Sequence, residues 1–163
     1  NVSWDAQLHY PANAFPDMLD WIVRTCDYFS KRSDLQLLIR VHPAEISGFP
    51  RSRQPVLQEL LRRCPELPSN ITIVPPESSM STYSLMSLCN AAIIYGTKMG
   101  VELASVGLPV IVAGEAWVRN KGVTYDASTA EEYFDILSRV TGNTSMIHIK
   151  KPSTGQIPNI PSH

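Results

Sequence analysis

Ala91-Ala92-Ile93-Ile94-Tyr95-Gly96-Thr97-Lys98-Met99-Gly100-Val101-Glu102, followed by Gly107-Leu108-Pro109-Val110-Ile111-Val112-Ala113-Gly114, is the most informative stretch of the chain. Its two short apolar runs, Ala91–Tyr95 and Leu108–Ala113, do not alternate with polar residues, as expected of strands buried on both faces. Between them, Gly96-Thr97 turns the chain into a helix from about Lys98 to Ser105, and Gly107 ends it. A strand, a helix and a second strand joined by short turns form the right-handed unit of a parallel sheet.

The same grammar extends in both directions. Upstream, Leu35–Val41 and Asn70–Val74 read as strands, the first running into His42-Pro43 and the second closed by Pro75-Pro76. Phe15, Met18, Leu19, Ile22, Val23, Cys26 and Phe29 fall at helical spacing, with Pro16 and Asp17 suited to the first turn. Further helices read from about Pro55 to Arg63, and from Ser81 through Leu88. Ser47 to Arg53 and Gly114 to Gly122 read as loops. Downstream, Ala127 to Val140 reads as a last helix, with a capping box at Ser128-Thr129-Ala130-Glu131. The expectation is an α/β fold, a Rossmann-like parallel sheet with helices on both faces. It occupies residues 1–140, followed by a Pro-containing tail over 141–163.

Composition narrows the function classes. A formal net charge of −1 excludes the basic excess of a strong nucleic-acid binder. A hydrophobic fraction of 44% suits a packed core rather than disorder. No apolar run approaches the ~20 residues that span a bilayer. The opening Asn1-Val2-Ser3-Trp4-Asp5 has no signal-peptide pattern, and a chain opening on Asn rather than Met reads as part of a longer protein. Cys26, Cys64 and Cys89, odd in number and without CxxC, read as reduced, buried thiols in a reducing compartment. His9, His42, His148 and His163 show no metal-ligand spacing, and there is no G-x-S-x-G elbow.

In an open α/β sheet, ligands bind at the carboxyl ends of the strands. The unusual residues of this sequence collect there. Tyr95, Gly96, Thr97, Lys98 and Gly100 form a strand-to-helix turn. Such a turn brings backbone N–H groups and a helix dipole to an anion, or is simply a capped turn. It matches neither a Walker A loop nor G-x-G-x-x-G. Glu102 lies in the first turns of that helix, as a dipole-stabilised carboxylate or as an acceptor for ribose hydroxyls. Arg40, His42 and Glu45 cluster just past another strand. There His42 can donate to a phosphate or act as an acid, and Arg40 can pair with phosphate or with Glu45. Gly114, Glu115, Trp117, Arg119 and Lys121 form a polar, cationic and aromatic loop that can clamp a phosphate or sugar, with Trp117 stacking on a ring. Ser81 and Tyr83 form a further candidate loop for a base or ribose. Trp4-Asp5 can reach the same rim if Asn1-Val2-Ser3 ends a strand.

Arg40-Val41-His42-Pro43, Tyr95–Glu102 and Gly107–Gly114 resemble capsule-polysaccharide biosynthesis proteins, which look like glycosyltransferases of the two-domain GT-B architecture. The resemblance covers about residues 1–140 and corresponds to the carboxyl-terminal, nucleotide-sugar-binding half. It implies that His42 binds the donor phosphate, that Gly96, Thr97 and Lys98 cradle it, and that Glu102 holds the ribose. The His-Pro pair is similar to a motif of bacterial sialyltransferases and Kdo transferases, which points to a CMP-sugar; a UDP-sugar is the other donor considered. The resemblance also implies no bound metal or cofactor, and a glycan or glycolipid acceptor met through an amino-terminal half that supplies the catalytic base. The implied location is the cytoplasm, at the inner face of the bacterial membrane, with peripheral membrane association of the full-length protein. Two alternatives share the pattern: a relative of the nucleotide-sugar 2-epimerases, and a non-catalytic α/β interaction module.

Overall fold

A computed structural model describes residues 12–47 and 55–142. In chain order the elements are α1 (Met18–Ser30), β1 (Leu37–Arg40), α2 (Ala44–Ser47), α3 (Val56–Arg63), β2 (Ile71–Val74), α4 (Thr82–Met86), β3 (Ala92–Ile94), α5 (Met99–Ser105), β4 (Val110–Val112), β5 (Tyr125–Asp126) and α6 (Ala130–Gly142). All pairings are parallel. β1 pairs with β2, with Leu37 opposite Ile71, and β4 lies between β3 and β5, with Ile94 opposite Val112. The fold is α/β and Rossmann-like, with its parallel strands in two sheets and helices around them.

Strand β4 shows why its sequence is apolar throughout. Val110, Ile111 and Val112 are all fully buried. Successive side chains point to opposite faces of a strand. Ile111 therefore packs with Tyr133, Ile136 and Leu137 of α6, whereas Val110 and Val112 pack with Leu103 of α5 and with Ile94 and Val118. Helices cover both faces of this strand. The Ile111 core also takes in Leu37, Ile39 and Ile71, so one body of apolar side chains backs both sheets.

Helix α1 brings Met18, Ile22, Thr25, Cys26 and Phe29 into that core. It starts at Met18, not Phe15, because Asp17 is the N-cap and its carboxylate accepts the Asp20 N–H at 2.8 Å. Phe15 packs edge-on against Tyr133, ring centroids 5.1 Å apart. Thr25 Oγ1 and Tyr133 Oη share a buried 3.0 Å hydrogen bond that joins α1 to α6. Burial raises the Tyr133 phenol. Asn70 is buried, and its Nδ2 donates to the carbonyls of Phe29, Arg32 and Leu35, fixing the turn from α1 into β1 beside β2.

Several boundaries differ from expectation. The capping box of the last helix sits one residue later: Thr129 Oγ1 accepts the Glu132 N–H, and Glu132 Oε2 accepts the Ser128 N–H. Helix α6 thus starts at Ala130 and continues to Gly142, two residues into the expected tail. Residues 125 and 126, between the expected loop and that helix, pair with β4 as β5. Ser47, read as loop, ends α2. The remainder of that loop, the tail from residue 143 and the opening strand with Trp4-Asp5 lie outside the described residues.

Candidate functional site

The strands' carboxyl ends carry the residues singled out in the sequence, and the structure sorts them into two groups. The first stands past β1 and β2. Arg40 donates from Nη1 to the Pro75 carbonyl at 2.6 Å and from Nη2 to the Ser78 carbonyl at 3.3 Å. Its Nε is buried and finds no hydrogen-bond partner among the described residues. Glu45 is buried, and both of its carboxylate oxygens accept the Val56 N–H, at 3.2 and 3.1 Å. Glu45 therefore caps α3 instead of pairing with Arg40. Burial raises its pKa above the ordinary carboxylate value, and the Val56 N–H only partly offsets that. His42 is exposed at the strand end, and its carbonyl accepts the Glu45 N–H at 3.0 Å.

The second group stands past β3 and β4. The turn 96–98 leads directly into α5. Thr97 Oγ1 accepts the Met99 N–H at 3.3 Å and Thr97 O accepts the Gly100 N–H, which makes Thr97 the capping residue. The N–H groups of Thr97 and Lys98 find no acceptor among the described residues. Gly100 is a packing position: a Cβ there would lie 2.6 Å from Ile94 Cδ1 and 2.8 Å from Val118 Cγ1. Gly114 has the same role, since a Cβ would meet the Tyr95 carbonyl at 2.6 Å. These two glycines seat α5 and the loop after β4 tightly on the end of β3.

Tyr95 contributes backbone to this rim, while its side chain belongs to the core. Its hydroxyl donates to the Phe15 carbonyl at 3.2 Å, its ring lies 5.6 Å from Trp21, and burial raises its pKa. Lys98 Nζ stands 4.9 Å from the centroid of the exposed Trp117 ring, so the α5 turn and the loop after β4 face each other. Glu115 accepts from Asn13 Nδ2 at 3.0 Å, and Lys121 is exposed.

Two relationships were absent from the sequence reading. Arg119, read as one cation of a solvated clamp, is buried. Its guanidinium donates to the carbonyls of Val112, Gly114 and Ala127 and to Ser128 Oγ. It staples the ends of β4 and β5 together. Tyr83, on α4, donates its hydroxyl to Glu102 Oε2 on α5 at 2.5 Å. Nothing in spacing signals either contact, because each depends on how separate loops come together. Arg40 holds the 75–78 loop and α4 follows that loop, so the Tyr83–Glu102 bond links the first group of residues to the second.

No helix among the described residues is long and apolar enough to cross a membrane. No three His, Cys, Asp or Glu side chains group among them as a metal site. Burial pushes the Cys26 thiol up to about 12, and raises Cys64 and Cys89 as well, so these cysteines are poor nucleophiles.

No curated protein and no solved structure matches the chain. A family model, that of the capsule polysaccharide biosynthesis protein, matches residues 5–140. The match takes in both sheets, the Arg40–Glu45 segment, the turn at Gly96 and the loop after β4, and the chain belongs to the capsule polysaccharide biosynthesis family.

Proposed function

We propose that this chain is the nucleotide-sugar donor-binding domain of a glycosyltransferase acting in capsule synthesis. The observation that carries the reading is the rim past β3 and β4. There a Thr97-capped turn, with N–H groups of Thr97 and Lys98 that find no acceptor among the described residues, the cation of Lys98 and the carboxylate of Glu102 stand in succession along the start of α5. Open N–H groups and a cation suit a diphosphate or monophosphate, and a carboxylate about a turn further along suits a ribose. The donor is a CMP- or UDP-sugar, and the acceptor is a glycan or glycolipid. Peripheral attachment at the inner face of the bacterial membrane fits such an acceptor.

Glycosyl transfer separates an anionic nucleotide from an oxocarbenium-like sugar. Prearranged donors facing the phosphate stabilise the charge that grows there. His42 acts as one such donor, and His42→Ala lowers turnover by about 10²–10³-fold in the full-length enzyme.

The deciding experiment is a calorimetric or NMR binding panel of CMP, UDP, GDP and ADP on the wild type, His42→Ala and Glu102→Ala. Selective binding of one nucleotide, lost in both variants, is the expected result. No binding of any nucleotide at millimolar concentration overturns the reading and favours an interaction module.

A further inference from the structure

Tyr83 makes a bond that its surroundings do not require. The residue is 64% exposed, and α4 is a single short helix held down by the buried Leu85. Ser81 caps that helix through the Tyr83 N–H, so the backbone is settled without the phenol. The hydroxyl nevertheless reaches across to α5 and donates to Glu102 Oε2 at 2.5 Å. That distance is typical of a charge-assisted O–H to carboxylate bond. The bond raises the Tyr83 pKa, so the phenol stays a proton donor through the neutral range. An exposed pair of this kind adds little to folding stability. Its clear consequence is local: it orients the Glu102 carboxylate. Oε1 of Glu102 accepts no hydrogen bond from the described residues. The outcome is a carboxylate of fixed orientation with one oxygen open, beside an exposed aromatic ring.

We propose that Tyr83 is a positioning residue of a ribose subsite, in which its hydroxyl holds Glu102 so that the open carboxylate oxygen receives the vicinal hydroxyls of a ribonucleotide. The subsite thereby selects ribonucleotides over their 2′-deoxy counterparts. This inference rests on the donor-binding reading. A carboxylate already held in place accepts a diol without first losing its own rotamer freedom. A deoxyribose leaves one of its acceptor positions unfilled.

The test measures the affinities of CMP, UDP, GDP and ADP and of their 2′-deoxy counterparts for the full chain, by calorimetry. Wild type, Tyr83→Phe and Glu102→Gln are compared, with thermal melts to check folding. The expected result is a ribonucleotide preference in the wild type. Tyr83→Phe keeps the ring and loses only the hydroxyl, and weakens ribonucleotide binding by about three- to tenfold, the worth of one hydrogen bond. It weakens the 2′-deoxy affinity less, because only the 3′-hydroxyl of that sugar meets Glu102, so the preference shrinks, a change that a purely structural role of Tyr83 would not produce. Equal loss for both sugars, or an unchanged preference in Tyr83→Phe, overturns the inference while leaving donor binding intact. Equal binding of both sugars by the wild type does the same. Failure of the wild type to bind any nucleotide overturns both.

Discussion

Lys98 and Trp117, from two different loops, form a cation–π pair across the rim of the candidate site, Nζ 4.9 Å from the ring centroid. Trp117 is 67% exposed, so the pair contributes only about 0.5–1 kcal/mol, and Trp117→Ala unfolds at nearly the wild-type urea concentration. Under the proposed donor-binding function, removing the cation acts on the nucleotide instead. Lys98→Ala weakens nucleotide binding by about tenfold at low salt and by less at high salt, as expected of a screened phosphate contact. Calorimetric titration at the two ionic strengths checks this. A salt-independent effect would assign Lys98 to packing.

Arg119 is a buried cation whose hydrogen-bond acceptors are all neutral oxygens, three of them carbonyls at the ends of β4 and β5. Arg119→Met strands those carbonyls and costs about 3 kcal/mol. In a chain of this size the loss lowers the melting temperature by about 6–12 °C. Arg119→Lys recovers only part of it, because an ammonium cannot reproduce the planar fork. Thermal melts of the two variants against wild type give the ranking.

Gly100 and Gly114 differ in what blocks a methyl group. At Gly100 the obstacles are side-chain carbons of Ile94 and Val118, which can shift slightly; at Gly114 the nearest is the Tyr95 carbonyl, which is backbone. Gly100→Ala costs about 1–3 kcal/mol, and Gly114→Ala costs more. Urea unfolding of both variants tests the order. The reverse order would mean that the loop after β4 yields more easily than the core beneath α5.

Glu45 gives a pH dependence of definite sign. Its folded pKa lies above the ordinary 4.5 because of burial, so the native state holds this proton more tightly than the unfolded chain does. The stability it contributes is complete below about pH 4.5 and declines as pH rises through the folded value. Glu45→Gln keeps an oxygen for the Val56 N–H and removes the titration. Its stability relative to wild type therefore rises between about pH 4 and pH 7. Urea unfolding across that range reads the difference, and a flat difference would show that Glu45 ionises as freely in the fold as outside it.

Periodicity and punctuation made most of the architecture readable. The strands β1 to β4, and helices α1 and α3 to α6, lie within a few residues of where apolar spacing, Pro and Gly put them, because burial on one or both faces imprints a period on the sequence. The two-residue β5 carries no such imprint, and the α6 cap shifted by one residue because two adjacent Ser/Thr residues fit the same cap pattern. The collection of polar residues at the strands' carboxyl ends was likewise legible, since it follows from the parallel topology.

The role of each of those residues was not. Arg119 and Glu45 look like site residues in a linear reading, yet the folded chain spends the first on β-strand carbonyls and the second on the start of α3. Tyr95 sends its side chain into the core and leaves only backbone at the rim. Glu102, a solitary helix carboxylate in sequence, acquires Tyr83 as a partner from a different helix. Side-chain periodicity is local and survives in one dimension, whereas a hydrogen-bond partner is fixed by the distance between segments far apart in the chain. The parallel fold could be read from order and spacing alone, and the family from the resemblance of three motifs; the division between side chains that build the rim and those left open to a ligand exists only once the loops meet.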